Sequence, residues 1–155
     1  MFDLVIFDCD GVLIDSEIIS AQMLIDELAL LGVNIDLAYV ARNFLGRSYP
    51  TVMETIRQEF QLTLPPEFEE QYRARLLTSF ERDLKIMPDV AGVVAALKIP
   101  FCIATSSSPI RAAKSLQLVG LGHLAGPQLF TASMVRKGKP APDLFLHAAA
   151  QMGAD

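Results

Sequence analysis

Leu4-Val5-Ile6-Phe7-Asp8-Cys9-Asp10-Gly11 decides how the rest of the chain is read. Its first four residues form an apolar run rich in β-branched and aromatic side chains, bounded by Asp3 and Asp8. Such a run predicts a central strand of a parallel sheet, buried on both faces. Asp8 and Asp10 follow at the carboxyl end of that strand, where open parallel sheets place their ligands. Two carboxylates so close repel each other unless a cation intervenes. A hard divalent ion with oxygen ligands meets that need, and Mg2+ is the usual one where a phosphate is also held. The plainer alternative is that one aspartate orders the turn before Gly11. A glycine there lets the backbone bend or come close to a ligand.

Working outward, Asp15 and Ser16 are helix-capping types and Gly32 is a helix-ending type. The helix between them carries Ile18, Met23, Leu24, Leu28 and Leu31. Further helices are predicted over Asp36–Phe44, over Thr51–Phe60, and from Pro65-Pro66 to about Leu84, with no convincing strand among them. The many charges between residues 54 and 85 fall in pairs such as Glu69–Arg73 and Glu81–Lys85, the pattern of a solvated helix face. From Met87 the texture changes. Val90, Val93, Val94 and Leu97 make an amphipathic stripe, and Phe101-Cys102-Ile103-Ala104 is a second buried-strand run. Ser108 and Pro109 suit the cap and first position of a helix that ends near Gly120. Leu129–Ala132 is a weaker strand. Lys139-Pro140-Ala141-Pro142-Asp143 opens a last helix with Phe145, Ala148, Ala149 and Met152 on one face. Strands alternating with helices predict parallel βαβ units, and the helical stretch reads as an insertion after the first strand.

Composition bounds the function. The chain has 155 residues, 52% of them hydrophobic and 20% charged, which excludes a disordered chain. A net charge of −5 without a basic run argues against duplex nucleic acid as a partner. No stretch approaches the roughly 18 uncharged apolar residues of a membrane helix. Met1 to Ile14 carries three aspartates and no Lys or Arg, the wrong flank for a signal peptide. Cys9 and Cys102 match no metal spacing and suit buried positions in a reducing cytoplasm.

Two more polar groups fall where ligands belong. Thr105 and Ser106 follow the second strand, so the Thr105 hydroxyl and the next backbone N–H groups can face an anion near a helix N-terminus. Helix capping by the serines is an equal alternative. Lys139 lies on a loop stiffened by the prolines after it, whereas Arg136 and Lys137 read as surface charge.

Taken together these residues resemble the haloacid dehalogenase-like (HAD) hydrolases. Asp8-Cys9-Asp10-Gly11-Val12-Leu13-Ile14-Asp15-Ser16 is similar to the first motif of that family, Ile103-Ala104-Thr105-Ser106 to its second, and Lys139-Pro140-Ala141-Pro142-Asp143 to its third. The form is that of the phosphatases and β-phosphoglucomutases with a helical cap, and the order and spacing agree along essentially the whole chain. The resemblance implies an α/β fold: a Rossmann-like parallel core over residues 1–15 and 85–155, with a helical cap over 16–84 inserted after the first strand. It implies a Mg2+-dependent phosphatase for a small phosphorylated metabolite, in the sugar phosphate class, and no membrane or nucleic-acid partner. Asp8 would be the nucleophile that forms an aspartyl-phosphate and Asp10 the general acid and base. Mg2+ would meet Asp8 and the carbonyl of Asp10. Thr105, Ser106 and Lys139 would hold the phosphate. Gly46 and Arg47 would belong to a specificity loop in the cap.

The family's fourth motif, an acidic pair after a further strand, has no counterpart in the 16 residues after Lys139. The last helix stops at Asp155, which does not follow a strand and is no substitute. The C-terminal part of the core is therefore expected to be missing, with weak Mg2+ binding, little turnover and an exposed sheet edge; an inactive fragment is the corresponding alternative reading. A phosphomutase is the other alternative. The β-phosphoglucomutases carry a cap-loop arginine for the second phosphate, and register against Gly46 puts Tyr49 at that place. A dehalogenase does not need the acid at position 10. A receiver-like signalling domain carries its aspartate on a later strand.

Overall fold

A computed structural model describes residues 2–154; Asp155 lies outside the described residues. Three parallel strands form one sheet in the order β1 (Val5–Phe7), β2 (Phe101–Thr105), β3 (Leu129–Thr131). Val5 pairs with Phe101 and Phe7 with Ile103, and Thr105 pairs with Thr131. The two predicted strands are thus direct neighbours, and Asp8 and Thr105 leave the sheet at the same end.

One expectation is corrected. β1 is partly covered rather than buried on both faces, and among the described residues β2 is the middle strand, with Cys102 to Thr105 all buried. β1 pairs on one side alone among the described residues, which leaves its outer edge open. An apolar run reports that both faces of a strand are covered, not how many neighbours it has.

Seven α-helices accompany the sheet in the described residues. Four of the five between the first two strands form a group of their own: α1 (Glu17–Ala29), α2 (Leu37–Asn43), α3 (Tyr49–Glu59) and α4 (Phe68–Asp83). They build their own apolar cluster, centred on Leu28, Ile56, Leu76 and Phe80. Arg75 of α4 pairs with the nearly buried Glu27 of α1 at 2.9 Å, fastening the two longest helices. The remaining helices are α5 (Val90–Ala96), α6 (Pro109–Leu118) and α7 (Asp143–Met152). Separate clusters cover the two faces of the sheet. Leu13, Ile14, Ile103 and Leu116 lie in one, and Cys102, Ala104, Phe130 and Leu144 in the other. The stripe predicted on α5 is shallow: Val90 and Val94 pack on the first of these clusters, but Val93 is half exposed. Leu28 has no accessible surface. Leu28→Ala is expected to cost about 2–5 kcal/mol through lost contacts and a residual cavity, read as a lowered midpoint in urea.

Candidate active site

The turn after β1 is set by its backbone. Gly11 has φ of +72°, a conformation disfavoured for residues with a Cβ. A Cβ there would also stand 2.5 Å from Glu17 Oε1. The glycine therefore bends the chain and admits a side chain from α1, rather than only leaving room for a ligand. Cys9, between the two aspartates, is fully buried. Burial, and then the charges of Asp10 and Asp8, push its thiol up to about 12. It stays protonated and takes no part as a nucleophile. Burial likewise raises the Cys102 thiol to about 11.

Asp8 is held by one oxygen. Its Oδ1 accepts from the Cys9 N–H at 2.7 Å and pairs with Lys139 Nζ at 2.9 Å. Lys139 is only 12% exposed and lies over the ring of Phe145. No described residue donates to Asp8 Oδ2, and the side chain keeps access to solvent. The lysine from the third motif and the aspartate from the first thus meet directly.

Asp10 is held by both oxygens. Ser16 Oγ donates to Oδ1 at 2.6 Å and Ser107 Oγ to Oδ2 at 2.7 Å. Arg111 Nη2 reaches Oδ1 at 2.8 Å. Burial works to raise the Asp10 carboxyl. The Arg111 guanidinium and the hydrogen bonds from Ser16, Ser107 and Arg111 outweigh it and hold the group below its ordinary range. Ser16 does occupy the N-cap of α1, but its hydroxyl serves Asp10 and makes no capping bond. Ser108 and Pro109 take their predicted places at the start of α6, again without a side-chain cap bond.

Thr105 stands at the end of β2 as expected, fully buried. Its Oγ1 accepts from the Ser107 N–H at 3.1 Å, so the hydroxyl orders its own turn and does not line the cavity beside it. Ser106 does line that cavity, and its Oγ is buried without a partner. An unpaired buried hydroxyl costs about 1–3 kcal/mol, a debt that a bound oxyanion would remove.

The cavity is about 660 Å³ and lies between the carboxyl end of the sheet and helices α1–α4. Asp8, Asp10 and Ser106 form its polar end. Leu24, Phe44, Met53 and Leu76 supply apolar wall from the helices. Gly46, Arg47 and Tyr49 also border it, so this loop reaches the cavity. The Tyr49 hydroxyl is buried and unpartnered. Sequence reasoning missed Glu17 and Arg111, which line the same cavity. Partial burial and the charges of Asp10, Asp8 and Asp15 raise the Glu17 carboxyl. Arg111 carried a usable signal. A cation in the first turn of a helix opposes the helix dipole, which hints at a carboxylate close by.

Two aspartates two residues apart, one on a lysine and one on an arginine, face a cavity at a strand end. The sequence matches the haloacid dehalogenase-like hydrolases over residues 2–155. The chain belongs to that family. It is 27% identical over 152 residues to the 6-phosphogluconate phosphatase of Escherichia coli (strain K12), covering 97% of this chain and 69% of that one. Among solved structures, a conserved haloacid dehalogenase-like protein of unknown function from Agrobacterium tumefaciens str. C58 is 36% identical. Its TM-score is 0.81, over 99% of this chain and 70% of that one. A HAD family hydrolase from Deinococcus radiodurans R1, crystallised with bound phosphate and sodium, is 34% identical with a TM-score of 0.71, over 99% and 68%. No described helix of this HAD hydrolase is long and apolar enough to cross a membrane.

The donor set suits a hard cation. The carboxylates of Asp8 and Asp10 border the same end of the cavity. Among the described residues no three His, Cys, Asp or Glu side chains converge. A Mg2+ ion here would therefore complete its shell with water and phosphate oxygens, as this ion commonly does.

Proposed function

We propose that the protein is a Mg2+-dependent phosphatase that hydrolyses a small phosphorylated metabolite, in the sugar phosphate class, through an aspartyl-phosphate. The observation that carries this reading is the anchoring of Asp8 by Lys139 and the Cys9 N–H through one oxygen, with the other left free beside the cavity. The 6-phosphogluconate phosphatase relative supports the substrate class. The separate apolar clusters support a division into a core of residues 1–15 and 85–155 and a cap of 16–84.

In this mechanism Asp8 Oδ2 attacks phosphorus, and the bond to the ester oxygen breaks on the opposite side. Asp10, an ionised carboxylate at rest, takes up the proton carried by the bound phosphate ester and delivers it to that departing oxygen. Asp10, now a base, takes a proton from the water that attacks the phosphoryl group on Asp8, and the freed phosphate leaves with Asp8 restored. Lys139 fixes the direction of Asp8 and offsets negative charge during transfer. Ser106, with its unpartnered hydroxyl, donates to a phosphoryl oxygen; Thr105 supports the turn that places it. Asp8 and the carbonyl of Asp10 would hold Mg2+, which supplies neutralising charge to the phosphoryl oxygens. The apolar walls given by α1–α4 exclude water from the transfer. Tyr49, at the position where register against Gly46 would put the phosphomutase arginine, favours a phosphatase over a phosphomutase.

The test is release of inorganic phosphate from a panel of phosphorylated metabolites with Mg2+ in large excess. Turnover is expected for sugar phosphates, rising with Mg2+ over a wide concentration range because few protein carboxylates serve the ion, and stopping when EDTA is added. A folded protein that releases no phosphate from any compound would remove this reading in favour of an inactive binding role.

A further inference from the structure

We infer that Arg111 is a positioning residue for Asp10, linking the place of the acid to helices α1 and α4; this rests on the phosphatase reading above. Arg111 rises from the first turn of α6, on the sheet side of the cavity. Its Nη2 is shared between Asp10 Oδ1 at 2.8 Å and Ser20 Oγ of α1 at 3.2 Å. The guanidinium also lies over the ring of Phe80 in α4, 5.2 Å from its centre. One side chain therefore touches the acid after β1 and both long helices above it.

Two features argue that this contact is more than incidental. Arg111 Nε is buried without a partner, so the side chain gives up a hydrogen bond in order to keep Nη2 on Asp10 and Ser20. Among the described residues Arg111 is also the one cation paired with Asp10; the other two donors are the neutral hydroxyls of Ser16 and Ser107. A planar guanidinium clamped between an aromatic ring and a serine fixes direction in a way that hydroxyls do not. A movement of α1 or α4 away from the sheet would loosen Ser20 and Phe80 from Arg111, and Asp10 with them. Asp10 is then aligned for proton delivery only while the helices cover the cavity.

A positioning role leaves a signature that simple substrate binding does not. Proton delivery matters most for a poor leaving group and little for an acidic phenol. The measurement is kcat/KM across substituted phenyl phosphates, which differ in leaving-group acidity and little in shape. It reports steps up to departure of the phenol and not the later hydrolysis. Arg111→Met keeps a stem over Phe80 and removes the guanidinium. It is expected to lose roughly a hundredfold on phenyl phosphate, the low end of general-acid contributions, with a few-fold change at most on p-nitrophenyl phosphate. Arg111→Lys should recover part of the loss. Arg111→Met should melt somewhat lower, because Asp10 loses its cation, but both variants should remain fully folded at the assay temperature.

An equal loss on every phenyl phosphate would overturn the inference while leaving the phosphatase reading in place, since it would mean that Arg111 only binds substrate or supports the fold. Failure of the unmodified protein to hydrolyse any of the series would remove both.

Discussion

Asp8→Asn is expected to abolish turnover, by about four orders of magnitude or more, the scale seen when a covalent nucleophile is removed. The amide is nearly isosteric with the carboxylate, but its nitrogen is no nucleophile and its oxygen is a weak one. The fold should survive, because Asn Oδ1 can still accept from the Cys9 N–H, as the carboxylate does at 2.7 Å. What is lost is the charge facing Lys139, whose ammonium is 12% exposed and 2.9 Å away. Leaving that cation without its anion costs about 1–3 kcal/mol, so a small fall in melting temperature should accompany the loss of activity. The two readouts separate the roles. Near-parental turnover in purified Asp8→Asn, with contaminating phosphatase excluded, would end the aspartyl-phosphate mechanism.

How much of this was legible in the sequence depends on the kind of signal. Asp8, Asp10 and Lys139 could be placed because each follows an apolar run or stands on a loop stiffened by prolines, and three such places in register identify one sheet end. The Asp8–Lys139 pair joins residues 131 positions apart, and only the parallel pairing of β1 with β2 and β2 with β3 brings their loops together. Residue type indicated the chemistry at Thr105 and Ser106 but not its division. The Thr105 hydroxyl turns back to the Ser107 N–H, and Ser106 faces the cavity. Side-chain direction at the last residue of a strand is settled by the turn that follows, which the sequence leaves open. Ser16 shows the same limit. It has the right type for a cap and the right place, yet its hydroxyl finds a stronger acceptor in Asp10. For Arg111 the sequence offers only its place in the first turn of a helix, because its partners come from α1, α4 and the turn after β1. No local pattern encodes such a meeting.

Asp10→Asn is expected to lower kcat/KM by roughly 10²–10⁴-fold on alkyl phosphates, the range for a positioned general acid. The loss on p-nitrophenyl phosphate should be far smaller at this stage, because p-nitrophenolate departs without a proton. Hydrolysis of the aspartyl-phosphate should slow for every substrate alike, since the same residue is the base for the attacking water. Rapid mixing with p-nitrophenyl phosphate should therefore show a burst of phenolate equal to the enzyme present, followed by a slow steady state. A second, independent consequence concerns stability. The folded-state pKa of Asp10 lies below the ordinary value of 3.8, with burial opposed by the Arg111 charge and the three hydrogen bonds. A depressed carboxyl contributes stability that is present above the unfolded pKa and is lost as pH falls through the folded one. Asp10→Asn removes that contribution, so its unfolding midpoint in urea should fall less than that of the parent between pH 5 and pH 3. It should also leave the Arg111 guanidinium without its carboxylate, and Arg111→Met should then add little further loss on alkyl phosphates. Full additivity of the two losses would show that Arg111 acts on the substrate and not through Asp10.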